Sequence, residues 1–343
     1  MENKECLTGM TLEELKTVAS RVSLPDYAAK QIAEWLYKKK VKTIDEMTNI
    51  ASEKRRLLSE YYEIGIIPPA GTMRSVDGTM KYMFVANDSS RAVETVYIPS
   101  KDRSTLCVSS QAGCKMNCLF CMTGKQGFTA QLTANEMLNQ IQAIPENDKL
   151  TNVVFMGMGE PLDNTDELFK TLDILTAPYG YAWSPKRITV STAGIIPGLK
   201  RFLEESKCNL AISLHSPYHE ERLSLMPVEK AYPVDNIIDL LHKYDFSHQR
   251  RVSFEYILFD GINDTERHAK DLAKLLRGIT CRVNLIRFHA IPNVKLRSCS
   301  ERKMISFREQ LNAHGVTCTI RISRGEDIFA ACGMLSATKS HKK

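Results

Sequence analysis

The stretch Cys114-Lys-Met-Asn-Cys118-Leu-Phe-Cys121 places three thiols in one short loop, spaced by four residues and then by three. An iron–sulfur cluster is ordinarily held by four cysteine thiolates. Three thiols with no fourth close by therefore predict a cluster in which one iron stays open for another ligand. In such sites the cofactor supplies the reactivity, and the protein supplies position and a dry surrounding.

A structural zinc site is the main alternative to an iron–sulfur cluster, because such sites also use clustered cysteines, usually as two Cys-x-x-Cys pairs. Here there is one such pair, Cys118 and Cys121. A chance group of buried thiols is the other alternative. Lys115, Asn117 and the following Thr123-Gly124 indicate a polar loop, however, and not a core strand.

Composition indicates an ordinary globular protein of about two domains, with 343 residues, 43% hydrophobic and 25% charged. The sequence contains no long apolar run and does not begin like a signal peptide, so we expect a cytoplasmic protein without a membrane span. Ten cysteines in a reducing compartment predict ligands, catalysts or core residues and not a disulfide framework.

The net charge of +6 is unevenly distributed. Residues 281–343 carry twelve Lys and Arg against four Asp and Glu, a net of +8. A basic surface of this kind is usually only solvated, but it is also what a polyanion-binding face requires. We expect residues 336–343 to be a disordered basic tail.

Residues 1–64 predict a helical accessory domain that could contact RNA. Thr11 and Glu14 form a capping-box pattern, residues 27–38 place an apolar stripe on one helix face, and residues 53–62 suggest a third helix. Residues 65–99 predict a segment of short β-strands, because the apolar period changes to two. Pro68-Pro69 separates the two regions.

Residues 100–335 alternate between strand and helix patterns, which specifies a parallel sheet covered by helices. We predict an α/β fold with a partial (βα)6 TIM-type barrel. The expected strands are residues 105–109, 152–156, 187–191, 209–214, 252–258, 282–287 and 317–323, and the expected helices are residues 133–144, 166–175, 235–244, 267–276 and 301–314.

Parallel βα architectures carry their chemistry in the loops at the carboxyl ends of the strands. The cysteine loop follows the first predicted strand, and Gly157-Met-Gly-Glu-Pro161 follows the second. Ser191-Thr-Ala-Gly194 and Ser213-Leu-His215 follow the next two. Each is a weak signal alone, but together they predict one functional rim.

Six motifs of the chain are Val93-Glu-Thr-Val96, Cys107-Val-Ser-Ser-Gln-x-Gly-Cys114, Met156-Gly-Met-Gly-Glu-Pro161, Ser213-Leu-His-Ser-Pro217, Val283-Asn-Leu-Ile286 and Gly325-x-Asp-Ile-x-Ala-Ala-Cys332-Gly333. In these motifs the chain resembles the RlmN and Cfr family of radical S-adenosylmethionine methyltransferases, which methylate adenine in ribosomal RNA. The resemblance extends from the helical region to Leu335.

This resemblance implies a radical S-adenosylmethionine core in residues 100–335, with a 4Fe–4S cluster and S-adenosylmethionine as cofactors. It implies that Cys332 carries a transferred methyl group, that Cys107 later pairs with Cys332 in a disulfide, and that Glu94 takes the ring proton. The implied cluster ligands are Cys114, Cys118 and Cys121, and the implied S-adenosylmethionine contacts are Gly159, Glu160, Ser191, Ser213, Leu214, His215 and, where the family usually has asparagine, His289.

The resemblance also implies the substrate, carbon 2 of adenine in large-subunit (23S) ribosomal RNA and in transfer RNA next to the anticodon. Pro161 favours this branch, since Cfr-type enzymes, which methylate carbon 8, tend to have alanine there. The implied partners are these RNAs and an electron donor such as flavodoxin or ferredoxin. The chain is expected to act as a monomer.

Two rival functions stay open from the sequence. A radical S-adenosylmethionine activase acting on a protein needs the cysteine loop and the rim, but not Cys107 and Cys332. The second rival, from a different class of function, is a non-catalytic RNA-binding protein with a structural metal. Iron content and cofactor cleavage after reduction distinguish the second rival from an enzyme.

Overall fold

A short parallel strand pair and three helices form the amino-terminal part of the computed structural model, which describes residues 4–85, 92–246 and 252–336. The predicted basic tail, apart from Ser336, lies outside these ranges. The elements of this part are β1 (Glu5–Cys6), α1 (Leu12–Arg21), α2 (Tyr27–Ala33), α3 (Ser52–Tyr61) and β2 (Tyr62–Glu63).

The local signals in this part form as predicted. The Thr11 side chain accepts a hydrogen bond from the Glu14 backbone N–H, and the Glu14 carboxylate accepts one from the Thr11 N–H at 2.7 Å. Ala28 and Ile32 lie buried on one face. After α2 the chain continues in π-helical turns from Glu34 to Lys39, where the sequence had predicted an α-helix.

The rest of the chain supplies twelve strands and eight helices within the described ranges. The strands are β3 (Gly71–Arg74), β4 (Met80–Val85), β5 (Ala92–Pro99), β6 (Ser104–Cys107), β7 (Gln111–Gly113), β8 (Phe128–Gln131), β9 (Asn152–Phe155), β10 (Ile188–Thr192), β11 (Asn209–Ser213), β12 (Val252–Leu258), β13 (Cys281–Arg287) and β14 (Cys318–Ile320). The helices are α4 (Met122–Lys125), α5 (Ala134–Gln142), α6 (Thr165–Thr176), α7 (Ile196–Glu205), α8 (His219–Leu225), α9 (Val234–Leu241), α10 (Glu266–Leu275) and α11 (Glu301–Ala313).

Ten of these strands form one open sheet in the order β14-β13-β12-β11-β10-β9-β6-β5-β4-β3. Strand β6 and strands β9 to β14 pair in parallel, and six βα units alternate along them, which confirms the predicted partial barrel. Strands β7 and β8 form a separate antiparallel pair. Strands β3, β4 and β5 continue the same sheet in antiparallel pairing, so the short-strand segment is an extension of the barrel wall.

Three helices of this region, α4, α7 and α8, were not predicted from the sequence. Helix α7 begins Ile196-Pro197-Gly198, a pattern that also marks turns. Proline is tolerated in a first helical turn because its missing N–H would have no partner there. Gly198 is needed for close packing, since a Cβ at this position would lie 2.6 Å from the Leu162 carbonyl oxygen.

The last strand is shorter than predicted. Strand β14 ends at Ile320, so Arg321 to Ser323 leave the sheet and join the segment that leads to the carboxyl terminus. No helix within the described ranges combines the length and apolar character needed to cross a membrane.

Helix α5 holds the amino-terminal part against the barrel. The Asn135 side chain donates to the carbonyl oxygens of Thr8 at 3.0 Å and Gly65 at 2.8 Å. Asn139 on the next turn accepts from the Ile67 N–H at 2.8 Å and donates to its carbonyl at 3.0 Å. Two side-chain amides, one half-buried and one buried, therefore join the two parts.

Replacing Asn135 with Ala removes both of its bonds and leaves two carbonyls without those donors. We expect the free energy of unfolding to fall by about 1–3 kcal/mol, the cost of unpaired buried polar groups. Asn236→Ala, at an exposed position of α9, should change it by less than about 0.5 kcal/mol. Urea unfolding of both variants measures the difference, and equal shifts would show that Asn135 does not fasten the two parts.

Candidate active site

One cavity opens at the carboxyl ends of the parallel strands, where the sequence predicted the functional rim. Its walls include most of the predicted site residues, together with apolar side chains such as Phe120, Met226 and Ile257. The predicted residues that line it are Cys107, Cys114, Cys118, Cys121, Gly159, Glu160, Ser191, Ser213, His215 and Cys332.

The three loop cysteines reach this cavity from the segment between β7 and α4. The loop is held in place by its backbone, because the Cys121 N–H donates to the Cys118 carbonyl at 3.2 Å and the Leu119 N–H donates to the Leu225 carbonyl at 2.8 Å. Burial raises the pKa of the Cys114 thiol to about 12 and that of Cys118 well above its usual range. Such thiols become thiolates only with a strong positive charge beside them, which a metal centre supplies.

The spacing of the three sulfurs distinguishes between metals. Four thiolates around one zinc ion lie roughly 3.8 Å apart, as tetrahedral Zn–S bonds require. The sulfurs of Cys114, Cys118 and Cys121 do not all lie within 4.8 Å of one another, although the charge of each neighbour raises the pKa of Cys118. The three side chains are therefore not arranged as the ligands of a single tetrahedral ion.

The glycine-rich turn after β9 brings a carboxylate into the cavity wall. Gly159 has a φ of +98°, and a Cβ there would lie 2.4 Å from the Gln111 side chain, so only glycine fits. The Glu160 carboxylate accepts from the N–H groups of Ala193 at 2.7 Å and Leu162 at 3.0 Å. Burial raises the pKa of Glu160 to about 7, although the two N–H donors act in the opposite direction.

His215 contributes a neutral imidazole to the same rim. Its Nδ1 accepts a hydrogen bond from the Ile257 N–H at 3.0 Å, and burial lowers its pKa to about 3. Its backbone is left-handed, with a φ of 60°, and the Phe120 ring packs edge-on against it at 4.7 Å between centroids. Since Nδ1 is an acceptor, the proton of the ring is assigned to Nε2.

The predicted contact Leu214 is fully buried beside the cavity and does not line it. Its carbonyl instead accepts from Arg222 Nε at 3.1 Å. Arg222 also donates to the carbonyls of Ala193 at 2.7 Å and Ser213 at 3.0 Å, and pairs with the buried carboxylate of Glu229. This guanidinium joins the rim loops after β10 and β11, and nothing in the sequence pattern had indicated it.

Cys332 reaches the cavity on the carboxyl-terminal segment, which is bonded to the cysteine loop. The Met122 N–H donates to the Gly333 carbonyl at 2.8 Å, and the Thr123 hydroxyl donates to the Leu335 carbonyl at 2.8 Å. Cys332 is exposed while Cys107 is buried. Burial, and then the charge of Cys332, raise the pKa of the Cys107 thiol to about 12, so the two thiols interact electrostatically.

Besides Leu214, two further predicted residues lie outside the cavity lining. Glu94 is buried next to it, 3.0 Å from the Lys81 ammonium, and accepts from the Ser336 N–H at 3.0 Å. His289 is buried, with Nε2 3.0 Å from the Ser323 hydroxyl and Nδ1 3.3 Å from the Glu326 carboxylate. The structure therefore does not bring His289 to the group of residues around the cysteines.

Comparison with known proteins agrees with this arrangement. Residues 108–273 match the family model of the radical SAM superfamily, and residues 6–64 match that of the ribosomal RNA large subunit methyltransferase N-terminal domain. The crystal structure of a radical SAM methyltransferase from Sphaerobacter thermophilus is similar, with a TM-score of 0.91 and 38% identity over 97% of this chain and all of that one.

Two curated relatives align over nearly their full length. A probable dual-specificity RNA methyltransferase RlmN from Parabacteroides distasonis is 70% identical over 340 residues, 99% of either chain. A dual-specificity RNA methyltransferase RlmN from Syntrophus aciditrophicus is 40% identical over 345 aligned positions, again 99% of either chain.

The partial barrel, the three-cysteine loop and the matching family model define a radical S-adenosylmethionine protein, whose cofactors are a 4Fe–4S cluster and S-adenosylmethionine. At these levels of identity over almost the whole chain, the protein belongs to the RlmN family.

Arg222→Gln tests the buried guanidinium that joins the rim loops. The substitution leaves Glu229 charged, buried and without its cation, so we expect the free energy of unfolding to fall by about 3–5 kcal/mol. Arg201→Gln removes a surface cation paired with Asp166 and Glu205 and should cost less than about 1 kcal/mol. Urea unfolding compares the two, and a small effect at Arg222 would rule out its fastening role.

Proposed function

We propose that this protein methylates carbon 2 of adenine in 23S ribosomal RNA, and in transfer RNA next to the anticodon, through a methylated cysteine. The observation that carries the proposal is that Cys107 and Cys332, 225 positions apart in the sequence, line one cavity together with the three loop cysteines. An activase that acts on a protein has no use for this pair.

The chemistry of the substrate supports a radical route. Carbon 2 of adenine is electron-poor, so it offers no electron pair to an ordinary methyl donor. The cluster and S-adenosylmethionine together supply a carbon radical strong enough to remove hydrogen from a methyl group. The chain itself must then hold the methyl carbon, accept the ring proton and separate product from protein.

The structure offers residues for each of these tasks. Cys332 is exposed at the cavity and can take up a methyl group, and Cys107 lies buried beside it to resolve the adduct. Cys114, Cys118 and Cys121 hold the cluster. Glu94 is the proposed general base. Lys81 and the Ser336 N–H each bind one of its two carboxylate oxygens, and each oxygen keeps a further lone pair that can accept a proton.

S-adenosylmethionine is proposed to lie along the rim formed by Gly159, Glu160, Ser191, Ser213 and His215. The buried Glu160 carboxylate suits an ammonium group, and the apolar wall at Phe120 and Ile257 excludes water. Electrons would come from a carrier such as flavodoxin or ferredoxin. We place the reaction in the cytoplasm, with the protein acting as a monomer.

The proposed function is tested on RNA from a strain that lacks this gene. Mass mapping should show the loss of 2-methyladenine from 23S ribosomal RNA and from the position next to the anticodon of transfer RNA, and a plasmid copy should restore both. Loss of 8-methyladenine would assign the carbon 8 reaction instead. Unchanged RNA would refute the proposal.

Anaerobically purified protein is expected to contain one 4Fe–4S cluster, with about four irons per chain. Replacing Cys114, Cys118 or Cys121 with Ala should abolish iron binding and the visible absorption of the cluster, because each removes one of three thiolates. Cys6→Ala, in the amino-terminal part, should retain both. Stoichiometric zinc without iron after anaerobic reconstitution would overturn this assignment.

Cys107→Ala and Cys332→Ala should fail at different steps. Without Cys332 there is no acceptor, so neither methylated protein nor methylated RNA should form. Without Cys107 the protein should still be methylated at Cys332 and react with RNA, but remain joined to it as a band of low mobility on a denaturing gel. Normal release of methylated RNA by Cys107→Ala would show that the thiol pair is not used.

A further inference from the structure

Arg321 is a half-buried cation in the active-site cavity to which the proposed reaction assigns no role. It follows β14 directly and lines the same cavity as Cys107 and Cys332. Its Nη1 lies 3.2 Å from the Glu255 carboxylate and 3.5 Å from the Met156 sulfur. The side chain is therefore fixed, and a guanidinium keeps further N–H groups beyond Nη1.

A row of polar side chains across the sheet holds this guanidinium. Ser213, Glu255, Asn284 and Thr319 stand in register on four neighbouring strands, β11 to β14. The Thr319 hydroxyl donates to Asn284 at 2.8 Å, and the Asn284 amide donates to Glu255 at 2.8 Å. The sheet thus positions the Glu255 carboxylate, and the carboxylate positions Arg321.

Cys107 needs a nearby positive charge in order to react, because the thiolate is the nucleophilic form of cysteine. Burial raises its pKa to about 12, and the charge of Cys332 acts in the same direction. Arg321 is the cation that lowers the pKa of Cys107, and the carboxylate of Glu255 keeps the pKa of Arg321 above its usual range. The other ionisable groups that line the cavity are Cys114, Cys118, Cys121, Glu160, Glu255 and His215.

We propose that Arg321 is the positioning residue for product release, where its guanidinium stabilises the thiolate of Cys107 that attacks the protein–RNA adduct. This inference rests on the proposed function and adds a residue to its last step. Arg321 acts through Cys107 and need not touch the RNA.

The release step balances without any external oxidant or reductant. Cys107 loses its proton, and its sulfur bonds to the sulfur of Cys332. The bond from that sulfur to the methylene carbon on the adenine breaks, and its electron pair stays on carbon. The carbon then gains one proton, equal in number to the one lost by Cys107. The two sulfurs are oxidised to a disulfide, and the carbon is reduced to a methyl group.

The decisive variant is the double replacement Glu255→Gln with Arg321→Gln. Arg321→Gln alone leaves the buried Glu255 carboxylate without its cation, which endangers folding. The double variant removes both charges and keeps two side chains able to hydrogen-bond. Glu255→Gln alone is the matched control, because it retains the positive charge of Arg321.

Each holoenzyme is first assayed for iron content and for methylation of Cys332, then mixed with RNA and sampled on denaturing gels from pH 7 to 9.5. We expect the double variant to bind iron, methylate Cys332 and accumulate the adduct. The double variant should release RNA about tenfold more slowly than wild-type protein at the same pH. This is equivalent to a displacement of the pH profile of release by about one unit to higher pH. Glu255→Gln should release RNA faster than the double variant, and Arg201→Gln, which removes a cation outside the cavity, should release it without accumulation.

A second readout measures the reactivity of the Cys107 thiol in the absence of turnover. Alkylation of Cys107 by iodoacetamide in the holoenzyme, located by peptide mass mapping, should be about tenfold slower in the double variant than in Glu255→Gln at the same pH. Equal alkylation rates, or release slowed equally at every pH, would overturn the role of Arg321. A double variant that binds no iron while Glu255→Gln does would also overturn it, since Arg321 would then serve the fold.

Failure of this inference is distinguishable from failure of the proposed function. If wild-type protein methylates RNA and Cys107→Ala forms the adduct, but the double variant releases product at the wild-type rate, only the role of Arg321 is refuted. If wild-type protein never methylates RNA, the proposed function itself fails.

Discussion

Parallel pairing of the barrel strands is the constraint on which the rest of this structure depends. A parallel sheet places all carboxyl ends at one edge. The turn after β9, the rim loops after β10 and β11, and Arg321 after β14 therefore meet around one cavity. The cysteine loop joins them because it follows β6 and the short strand β7, and β6 pairs in parallel with β9.

The antiparallel strands β3 to β5 have a separate task, since they fasten the segment that carries Cys332. Asp77 accepts from the Gly325 N–H at 2.9 Å, and Asp327 accepts from the Ser75 hydroxyl at 2.5 Å. Lys81 lies 3.5 Å from the Phe329 carbonyl, and Glu94 accepts from the Ser336 N–H at 3.0 Å. Cys332 thus lies in a segment that is anchored on both sides. Glu94, to which the family resemblance gives a catalytic role, also makes one of the anchoring contacts.

Three buried carboxylates around this site, those of Glu160, Glu229 and Glu255, each have a partner. Removing a carboxylate from water is costly unless donors or a cation replace the solvent. Glu160 accepts two backbone N–H groups, Glu229 pairs with Arg222, and Glu255 pairs with Arg321. These contacts join neighbouring loops of the rim and so restrict their movement. A rigid rim suits radical chemistry, because the radical must react with one intended atom and with no other.

The sequence by itself determined the cysteine loop, the βα alternation, the capping box at Thr11 and the family, because spacing and periodicity are local properties of the chain. It also placed Glu160, Ser191 and Ser213 at strand ends. It missed α7, whose Pro197 and Gly198 have the pattern of a turn, and it assigned His289 to the cofactor. Only the tertiary structure decided that His289 lies outside the cavity and that Arg222 and Arg321 support it. Those positions depend on which strands pair and in which register, and contacts between distant strands leave no local pattern in the sequence.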